Sequence, residues 1–201
     1  CVYFMKYLLS LLLLMTFGSC GPGRPHGTTM RVAVHHHDKL HITETELERY
    51  LLGVLQGEVP ADWPLEALKA QAVASRTYAL YRKEHPRSPD FDLEASVKDQ
   101  VLGRHIKNRK ILAEALRETD GQALLQKGQI IPAFFHSCCG GMSESGTQVW
   151  PGDIPPAVQQ VRGDPYCEAC PRYHWELRLT REELTQRLGR PFSRSLVRSV
   201  T

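Results

Sequence analysis

Two prolines, Pro60 and Pro64, constrain the fold of this chain because they separate two segments with helical periodicity. Proline lacks a backbone N–H and its ring clashes with the preceding helical turn, so Pro60 prevents a helix from continuing far beyond Glu58. Pro64 suits the first position of a second helix, which we expect to continue to about Lys83. The sequence therefore predicts a helix, a short turn and another helix over residues 43–83.

The first of these helices is predicted to be amphipathic. Thr43 and Glu46 stand at the spacing of a capping box, which predicts a helix from Thr43 to Gly57. Glu58 continues the apolar face at helical spacing, so a helix that reached it would point the carboxylate along the buried side. The apolar face consists of Leu47, Tyr50, Leu51, Val54 and Leu55.

Glu58 is thus a carboxylate at a position where a core residue is expected. A carboxylate beside apolar side chains, at the negative end of a helix dipole, should prefer its protonated form. That preference is what a general acid needs near neutral pH. The alternative is a solvated glutamate at a frayed helix end, and the helical position alone does not decide between the two.

Composition and charge exclude several classes of protein. The 201 residues include 25 Lys and Arg against 22 Asp and Glu, and this small excess does not indicate a nucleic-acid-binding protein. No basic run with interleaved aromatic residues appears either. With 42% hydrophobic and 23% charged residues, the composition is that of a globular protein. The length fits one moderate domain together with an export segment.

The N-terminal residues have the pattern of a secretory signal. Lys6 precedes an apolar run over residues 7–17, which is too short to span a membrane and is followed by small residues and Cys20. Cys20 after Gly-Ser is similar to the lipidated cysteine of bacterial lipoproteins, although Phe17 stands where the lipobox usually has Leu. The alternative is a plain signal peptide cut near Ser19.

These features divide the chain into an export segment, a tether and a folded domain. Because the first residue is a cysteine, we expect residues 1–4 to lie upstream of a true start at Met5. The predicted signal covers residues 1–20, a Gly- and Pro-rich tether covers 21–29, and the domain covers 30–201. Such a protein would be exported to the periplasm or cell envelope and held at the membrane by a lipid anchor.

The second half of the chain predicts a β-hairpin. Residues 122–126 and 129–135 flank Lys127-Gly128, a two-residue turn typical of hairpins, although Pro132 implies an edge or an interruption. The second strand leads directly into Phe-His-Ser-Cys-Cys-Gly-Gly at residues 135–141. A cysteine-rich turn therefore follows the hairpin.

Other elements complete the prediction. Residues 31–35 predict a strand, residues 108–118 a helix, and Thr180 with Glu183 the start of a last helix. The three histidines at 35–37 are assigned to a solvated turn, since neighbours on an extended chain point to opposite faces. We predict a single α+β domain, with an N-terminal helical half that carries the acidic site and a hairpin-containing half with a cysteine cluster.

Several stretches together resemble the stage II sporulation protein D (SpoIID) family. They are Tyr-Leu-Leu-Gly-Val-Leu-Gln-Gly-Glu-Val-Pro at 50–60, the segment 63–78 with its Arg-Thr-Tyr motif, and the turn at 135–141. The resemblance continues through Trp150 and covers roughly 30–201. Members of that family act on bacterial peptidoglycan as lytic transglycosylases, and related members are described as enhancers of cell-wall amidases. Because the family pattern usually runs on past residue 201, we expect the chain to be truncated at its C-terminus.

The resemblance implies roles for individual residues. Glu58 matches the family's catalytic glutamate, and Arg76 matches an arginine implicated in function. We expect Arg76 to hold an acidic or acetamido group of the glycan and Tyr78 to stack on a sugar face, with Gln71 and Ser137 as further substrate-binding residues. The alternative from another class is a non-catalytic peptidoglycan-binding module that stimulates a separate cell-wall amidase.

The cysteines of the second half predict a structural metal site. Cys167 and Cys170 have the Cys-x-x-Cys spacing of zinc ligands, and His136, Cys138 and Cys139 offer further donors. The predicted zinc ligands are His136, Cys139, Cys167 and Cys170, with Cys138 as the replacement if His136 faces the substrate. Because an exported compartment permits disulfides, two bridges between the turn and the Cys-x-x-Cys loop are the alternative.

Overall fold

A computed structural model describes residues 27–37, 39–103, 109–150, 152, 154–170 and 173–189. The predicted export segment with Cys20, and the tether before residue 27, lie outside these ranges. Within them, no helix combines the length and the apolar character needed to cross a lipid bilayer.

A small mixed sheet forms one side of the domain. Strand β1, Thr29–His36, lies at its centre and confirms the predicted strand. It pairs antiparallel with β2, Lys39–Glu46, and parallel with the short β3, Leu93–Glu94, so the strand order is β2-β1-β3. Met30, Val32 and Ala33 of β1 are buried in the core.

The predicted start of the first helix is wrong. Thr43 pairs with Val32 and Glu46 with Thr29, so both residues belong to β2 and form no capping box. β-branched residues such as Thr43 suit a strand, and the pairing with β1 outweighs the local capping signal. The first helical N–H, at Leu47, is satisfied by the carbonyl of Thr28 instead of a capping side chain.

Three helices pack together, and two of them also contact the sheet. Helix α1 is Leu47–Glu58, α2 is Leu65–Glu84, and α3 is Arg109–Glu118. The prolines act as predicted: α1 ends just before Pro60, and Pro64 immediately precedes α2. The buried apolar residues at the centre of this packing are Leu51, Val54, Leu55, Leu68, Ala72, Ala79, Leu93, Leu112 and Ala115.

The second half contains short elements, and the α+β prediction is confirmed. Strands β4, Leu125–Gln126, and β5, Gln129–Ile130, form the predicted hairpin. Lys127 and Gly128 at its turn both have positive φ, as a type I′ turn requires, and β5 ends before Pro132. The remaining described elements are helix α4, Gly146–Val149, two 3-10 helices, Pro156–Val158 and Pro165–Ala169, and helix α5, Arg181–Leu188. Helix α5 begins where it was predicted, and Thr180 and Glu183 form a capping box there.

Candidate active site

Glu58 is the last residue of α1, so the helix does reach the position that the apolar face predicted. Its side chain is half-buried, and its Oε1 accepts a hydrogen bond of 2.6 Å from the backbone N–H of Val101. Val101 belongs to a loop, residues 99–103, that passes along the end of α1. The carboxyl group is therefore held in one orientation while part of it remains accessible.

Gly57 allows this loop to approach the helix. A Cβ atom at position 57 would lie 2.3 Å from the carbonyl oxygen of Val101 and 2.8 Å from the nitrogen of Gly103. The Gly103 N–H also donates to the carbonyl of Gly53 at 2.9 Å. The missing side chain at Gly57 thus brings the backbone of Val101 within reach of the neighbouring carboxyl group.

Burial raises the pKa of Glu58 above the usual value for a glutamate. The hydrogen bond from Val101 acts in the opposite direction, since it stabilises the charged form, but burial is the larger effect. This direction agrees with the expectation from the sequence. A protonated carboxyl group that is partly accessible can deliver its proton to a bound oxygen.

Gln100 anchors the loop to both long helices. It is fully buried, accepts a hydrogen bond from the Tyr50 hydroxyl at 3.2 Å, and donates one to the carbonyl of Ser75 at 3.1 Å. Tyr50 lies on α1 and Ser75 on α2. The side chain next to Val101 is therefore fixed from two sides.

Asp99 lies at the start of the same loop, and its carboxylate is fully enclosed by donors. It accepts hydrogen bonds from the Tyr78 hydroxyl at 2.6 Å, from the Arg87 Nε at 3.0 Å and from the Glu94 N–H at 2.8 Å. None of its side-chain surface is exposed. The hydrogen bonds of this carboxylate therefore hold the loop in place.

The phenol groups of Tyr50 and Tyr78 each donate a hydrogen bond to the loop, and both remain protonated. Burial is the main reason that the pKa of Tyr50 is raised, and the negative charges of Asp99 and Glu58 raise it further. Burial and the hydrogen bond to Asp99 raise the pKa of Tyr78. Both hydroxyls therefore act as hydrogen-bond donors at physiological pH.

The contact between Glu58 and the loop at 99–103 was not predicted from the sequence. Its contact with Glu58 is made by a backbone N–H, which any residue except proline supplies. A weak signal was present in Gly57 and Gly103, since glycines permit two backbones to approach each other closely. Neither glycine indicates which segment its partner is.

Arg76 lies in the packing between the helices and is 2% exposed. Its Nε and Nη2 donate to the two carboxylate oxygens of Glu48 at 2.7 and 2.9 Å. Further bonds reach Thr119 Oγ1 and the carbonyls of Leu116 and Gln122. None of its described hydrogen bonds goes to Glu58, so substrate contact by Arg76 stays a prediction that this geometry does not support.

The other predicted substrate-binding residues lie in different surroundings. Tyr78 is 6% exposed and its hydroxyl is taken by Asp99, which leaves little ring surface for a sugar. Gln71 is half-buried and donates to the Ser75 hydroxyl at 3.1 Å, on the side of α2 that carries Tyr78. Ser137 is exposed in the turn after the hairpin.

The cysteine cluster forms a separate group that could hold a metal ion. The thiols of Cys139 and Cys167 and the carboxylate of Asp164 lie within 4.8 Å of one another. The Cys139 thiol is 3.3 Å from that of Cys167, which in turn is 3.0 Å from Asp164 Oδ2. Cys138 interacts with the thiols of Cys167 and Cys170, so all four cysteines of the second half meet here.

Asp164 is a possible ligand that the sequence prediction missed. It caps the 3-10 helix Pro165–Ala169 by accepting a hydrogen bond from the Tyr166 N–H at 2.9 Å. An aspartate directly before a proline is a recognisable helix-start signal, which could have placed it beside Cys167. The predicted ligand His136 is exposed and is not part of the group formed by Cys139, Asp164 and Cys167.

Comparisons with known proteins match the part of the chain that contains Glu58. The family described as "SpoIID: Stage II sporulation protein" matches residues 35–125, a range that includes Glu58 and Val101 and ends before the cysteine cluster. A protein of Brachyspira hyodysenteriae, described only as uncharacterized, is 38% identical over 116 residues, which are 57% of this chain and 31% of that relative.

Two relatives from Bacillus subtilis have functional names. Its "Amidase enhancer" is 34% identical over 134 residues, which are 67% of this chain and 17% of the relative. Its "Stage II sporulation protein D" is 30% identical over 158 residues, which are 71% of this chain and 46% of the relative. The match therefore spans less than half of the length of each of these relatives.

Proposed function

The chain belongs to the SpoIID family, and we propose that it cleaves the glycan strands of peptidoglycan as a lytic transglycosylase, with Glu58 as general acid and base. The observation that carries this proposal is the partly accessible carboxyl group of Glu58, whose pKa is raised by burial. The Val101 N–H orients it at 2.6 Å. An oriented, protonated carboxyl group is what departure of a glycosidic oxygen requires.

The surroundings of Glu58 favour a mechanism that uses one carboxyl group. Most glycoside hydrolases use two, one as acid and the other as base or nucleophile. Asp99 is the carboxylate of the neighbouring loop, but Tyr78, Arg87 and the Glu94 backbone already occupy it. It is therefore a poor candidate for activating water or attacking the sugar.

A single carboxyl group can complete the reaction if the substrate supplies the nucleophile. Glu58 donates its proton to the glycosidic oxygen, and the bond from C1 to that oxygen breaks with oxocarbenium character in the sugar. The resulting Glu58 carboxylate accepts the proton of the sugar's own 6-hydroxyl as that oxygen bonds to C1. The products are a free hydroxyl end and a 1,6-anhydro sugar, and Glu58 returns to its acid form without water.

The test is mass spectrometry of purified peptidoglycan after incubation with the full chain. The proposal expects anhydromuramic ends with the parent protein and a loss of about a hundredfold to ten-thousandfold with Glu58→Gln, since removing the proton donor removes the acid step. As a control, Glu46→Gln changes a glutamate at the end of β2, and it should cleave like the parent. Parental cleavage by Glu58→Gln would refute the role of Glu58.

The second candidate function is a non-catalytic module that binds peptidoglycan and stimulates a cell-wall amidase. The 34% identity to a protein named "Amidase enhancer" favours it. In this case the glycan would show no anhydromuramic ends, and the release of peptides by an added amidase would increase with the protein present. Glu58→Gln should then stimulate the amidase as strongly as the parent.

We also propose that the cysteine cluster holds a structural zinc ion through Cys139, Cys167 and Asp164, with Cys138 or Cys170 completing a tetrahedral set. Burial and the neighbouring Cys167 thiol raise the pKa of Cys139 to about 11. Zinc would therefore have to displace a proton from this thiol, which makes its binding dependent on pH. The ion would tie the Cys-x-x-Cys loop to the turn after the hairpin.

Metal analysis and thiol counting distinguish zinc from disulfides at this cluster. Protein purified without added metal should contain one zinc per chain, and Cys139→Ser or Asp164→Asn should lower that content. After denaturation with a chelator, every cysteine of the cluster should react as a thiol. A missing pair of reactive thiols together with no zinc would instead identify a disulfide.

We further propose that the domain is exported and anchored at the cell envelope through lipidated Cys20. The support is the signal-like pattern of residues 1–20, together with a glycan substrate that lies outside the cytoplasm. Labelling of the expressed chain with a radioactive fatty acid should be lost in Cys20→Ser. Cytosolic recovery of the unlabelled parent chain would contradict the proposal.

A further inference from the structure

Two stacked aromatic rings are linked through Tyr78 to the loop that contacts Glu58, and they extend towards the surface. The rings of Phe134 and Trp150 have centroids 3.7 Å apart and are nearly parallel, at 10°. Phe134 also contacts Tyr78, with centroids 6.0 Å apart and a 56° angle. Tyr78 in turn donates its hydroxyl to Asp99, two residues before Val101.

Exposure increases along this row of rings. Tyr78 is 6% exposed, Phe134 is half-buried, and Trp150 is 37% exposed. Phe134 covers one face of the indole, so the accessible part of the ring lies on its other face and its edges. Within this row of rings, the accessible aromatic surface is therefore provided by Trp150 and not by the buried Tyr78.

The backbone around Trp150 is fixed. Its N–H donates to the carbonyl of Gly146 at 2.9 Å, which closes helix α4. Gly146 packs closely against the segment that follows, because a Cβ there would lie 2.7 Å from the carbonyl oxygen of Val158 and 2.9 Å from Ile154 Cγ2. An exposed ring that is held on one face and at its backbone loses little conformational entropy when a ligand covers it.

We propose that Trp150, supported by Phe134, is a sugar-stacking subsite that binds a pyranose ring of the same glycan strand that is cleaved at Glu58. The face of an aromatic ring carries negative electrostatic potential, and the C–H bonds on one face of a pyranose carry partial positive charge. An indole offers the largest such surface among side chains. Neutral sugars of a peptidoglycan strand fit this chemistry.

This proposal rests on the proposed glycan substrate, but it does not require catalysis. The test therefore measures binding in the Glu58→Gln background, where the strand is not cut. Soluble uncrosslinked strands of alternating N-acetylglucosamine and N-acetylmuramic acid are titrated into the full chain, and the dissociation constant is measured by calorimetry. Anhydromuramic ends from the parent protein are scored separately, so failure of the reaction and failure of the subsite remain distinguishable.

Trp150→Ala should weaken strand binding about tenfold, because both the stacking contact and the buried area of the indole ring are lost. Trp150→Phe keeps a stacking face and should stay within about threefold of the parent. Trp175 is 81% exposed and supplies the matched control, because Trp175→Ala should bind like the parent. Equal binding by Trp150→Ala and its parent would overturn the subsite, as would a parent that does not bind the strands.

A fluorescence measurement covers the case in which Trp150→Ala does not fold. Strand binding should change the tryptophan emission of a Trp175→Phe variant, in which Trp150 is the exposed indole and Trp63 packs against the core. The change should be lost when Trp150→Phe is added to the Trp175→Phe variant, although that protein still binds the strand. An emission change of the same size in the double variant would come from Trp63 and would overturn the proposal.

Discussion

The backbone N–H of Val101 donates a hydrogen bond of 2.6 Å to the Oε1 of Glu58. This contact joins a loop to the last residue of α1, although the two residues are far apart in the chain. The contact has two consequences for the carboxyl group. It orients the carboxyl group, and it lowers a pKa that burial raises. The balance leaves a carboxyl group with a fixed orientation and a raised pKa.

Gly57→Ala should destabilise the protein by about 1–3 kcal/mol, although alanine is normally the better helix former by about 1 kcal/mol. The reason is steric: the new Cβ would lie 2.3 Å from the carbonyl oxygen of Val101, a backbone atom that cannot move alone. Displacement of the loop would also break the hydrogen bond to Glu58. Urea unfolding measures the change in free energy.

Gly53→Ala is the matched control in the same helix. Its Cβ would meet only the Cδ2 of Leu102, at 3.0 Å, and the end of a leucine side chain can shift. This variant should be neutral or slightly stabilising. If Gly57→Ala were as stable as Gly53→Ala, the close approach of the Val101 loop to α1 would be refuted.

The stability of the parent relative to Glu58→Gln should fall as the pH rises. The folded pKa of Glu58 is raised, so the native state holds its proton more tightly than the unfolded chain, whose glutamate titrates at about 4.3. The stabilisation is fully present below that pH and is lost as the pH rises through the folded pKa. Unfolding curves of both proteins from about pH 4 to 8 give the difference, and an increase with pH would show the opposite shift.

The sequence predicted the position of Glu58 because its evidence was local. Helical periodicity and Pro60 placed the carboxylate at the end of a buried face, and the structure has α1 ending at Glu58. The same local reasoning failed at Thr43 and Glu46, since a capping spacing does not reveal that a neighbouring strand is available for pairing. Pairing with β1 involves residues that are distant in the chain, and this competition decided the outcome.

The surroundings of Glu58 were beyond prediction for a related reason. The Val101 contact uses a backbone group, and the anchoring residue Gln100 has a side chain that is common on surfaces. For Arg76 the sequence was misleading, because a charged side chain in an alanine-rich helix suggests a solvent-exposed face, whereas Arg76 is buried. Its burial depends on Glu48 from another helix, which no spacing within α2 indicates.

Gln100→Ala should move the alkaline limb of the pH profile for glycan cleavage to higher pH. Loss of the bonds to Tyr50 and Ser75 frees the loop and weakens the Val101 hydrogen bond, which normally lowers the pKa of Glu58. Glu58 would then stay protonated to higher pH, and the acid step would persist there. Anhydromuramic ends counted at a series of pH values provide the measurement.

A purely structural role for Gln100 would give a different result. The variant would lose about 2 kcal/mol of stability, because a buried hydroxyl and a buried carbonyl lose their partners, but its pH profile would keep the parental limb. Tyr50→Phe is the milder control, since it leaves the bond from Gln100 to Ser75 in place. The alkaline limb of the pH profile of Tyr50→Phe should coincide with that of the parent or lie between those of the parent and Gln100→Ala.

Arg76 should prove to be a structural residue, and a comparison with Glu48 can show it. Glu48→Gln removes the negative charge that balances the Arg76 guanidinium, which is only 2% exposed, so it should cost about 2 kcal/mol of stability. Arg76→Lys should cost a similar amount, because lysine cannot form the paired contact with both oxygens of Glu48. In the folded proteins both variants should keep the parental KM for soluble glycan strands. A role in substrate binding requires the other pattern, in which Arg76→Lys raises KM while Glu48→Gln leaves it unchanged.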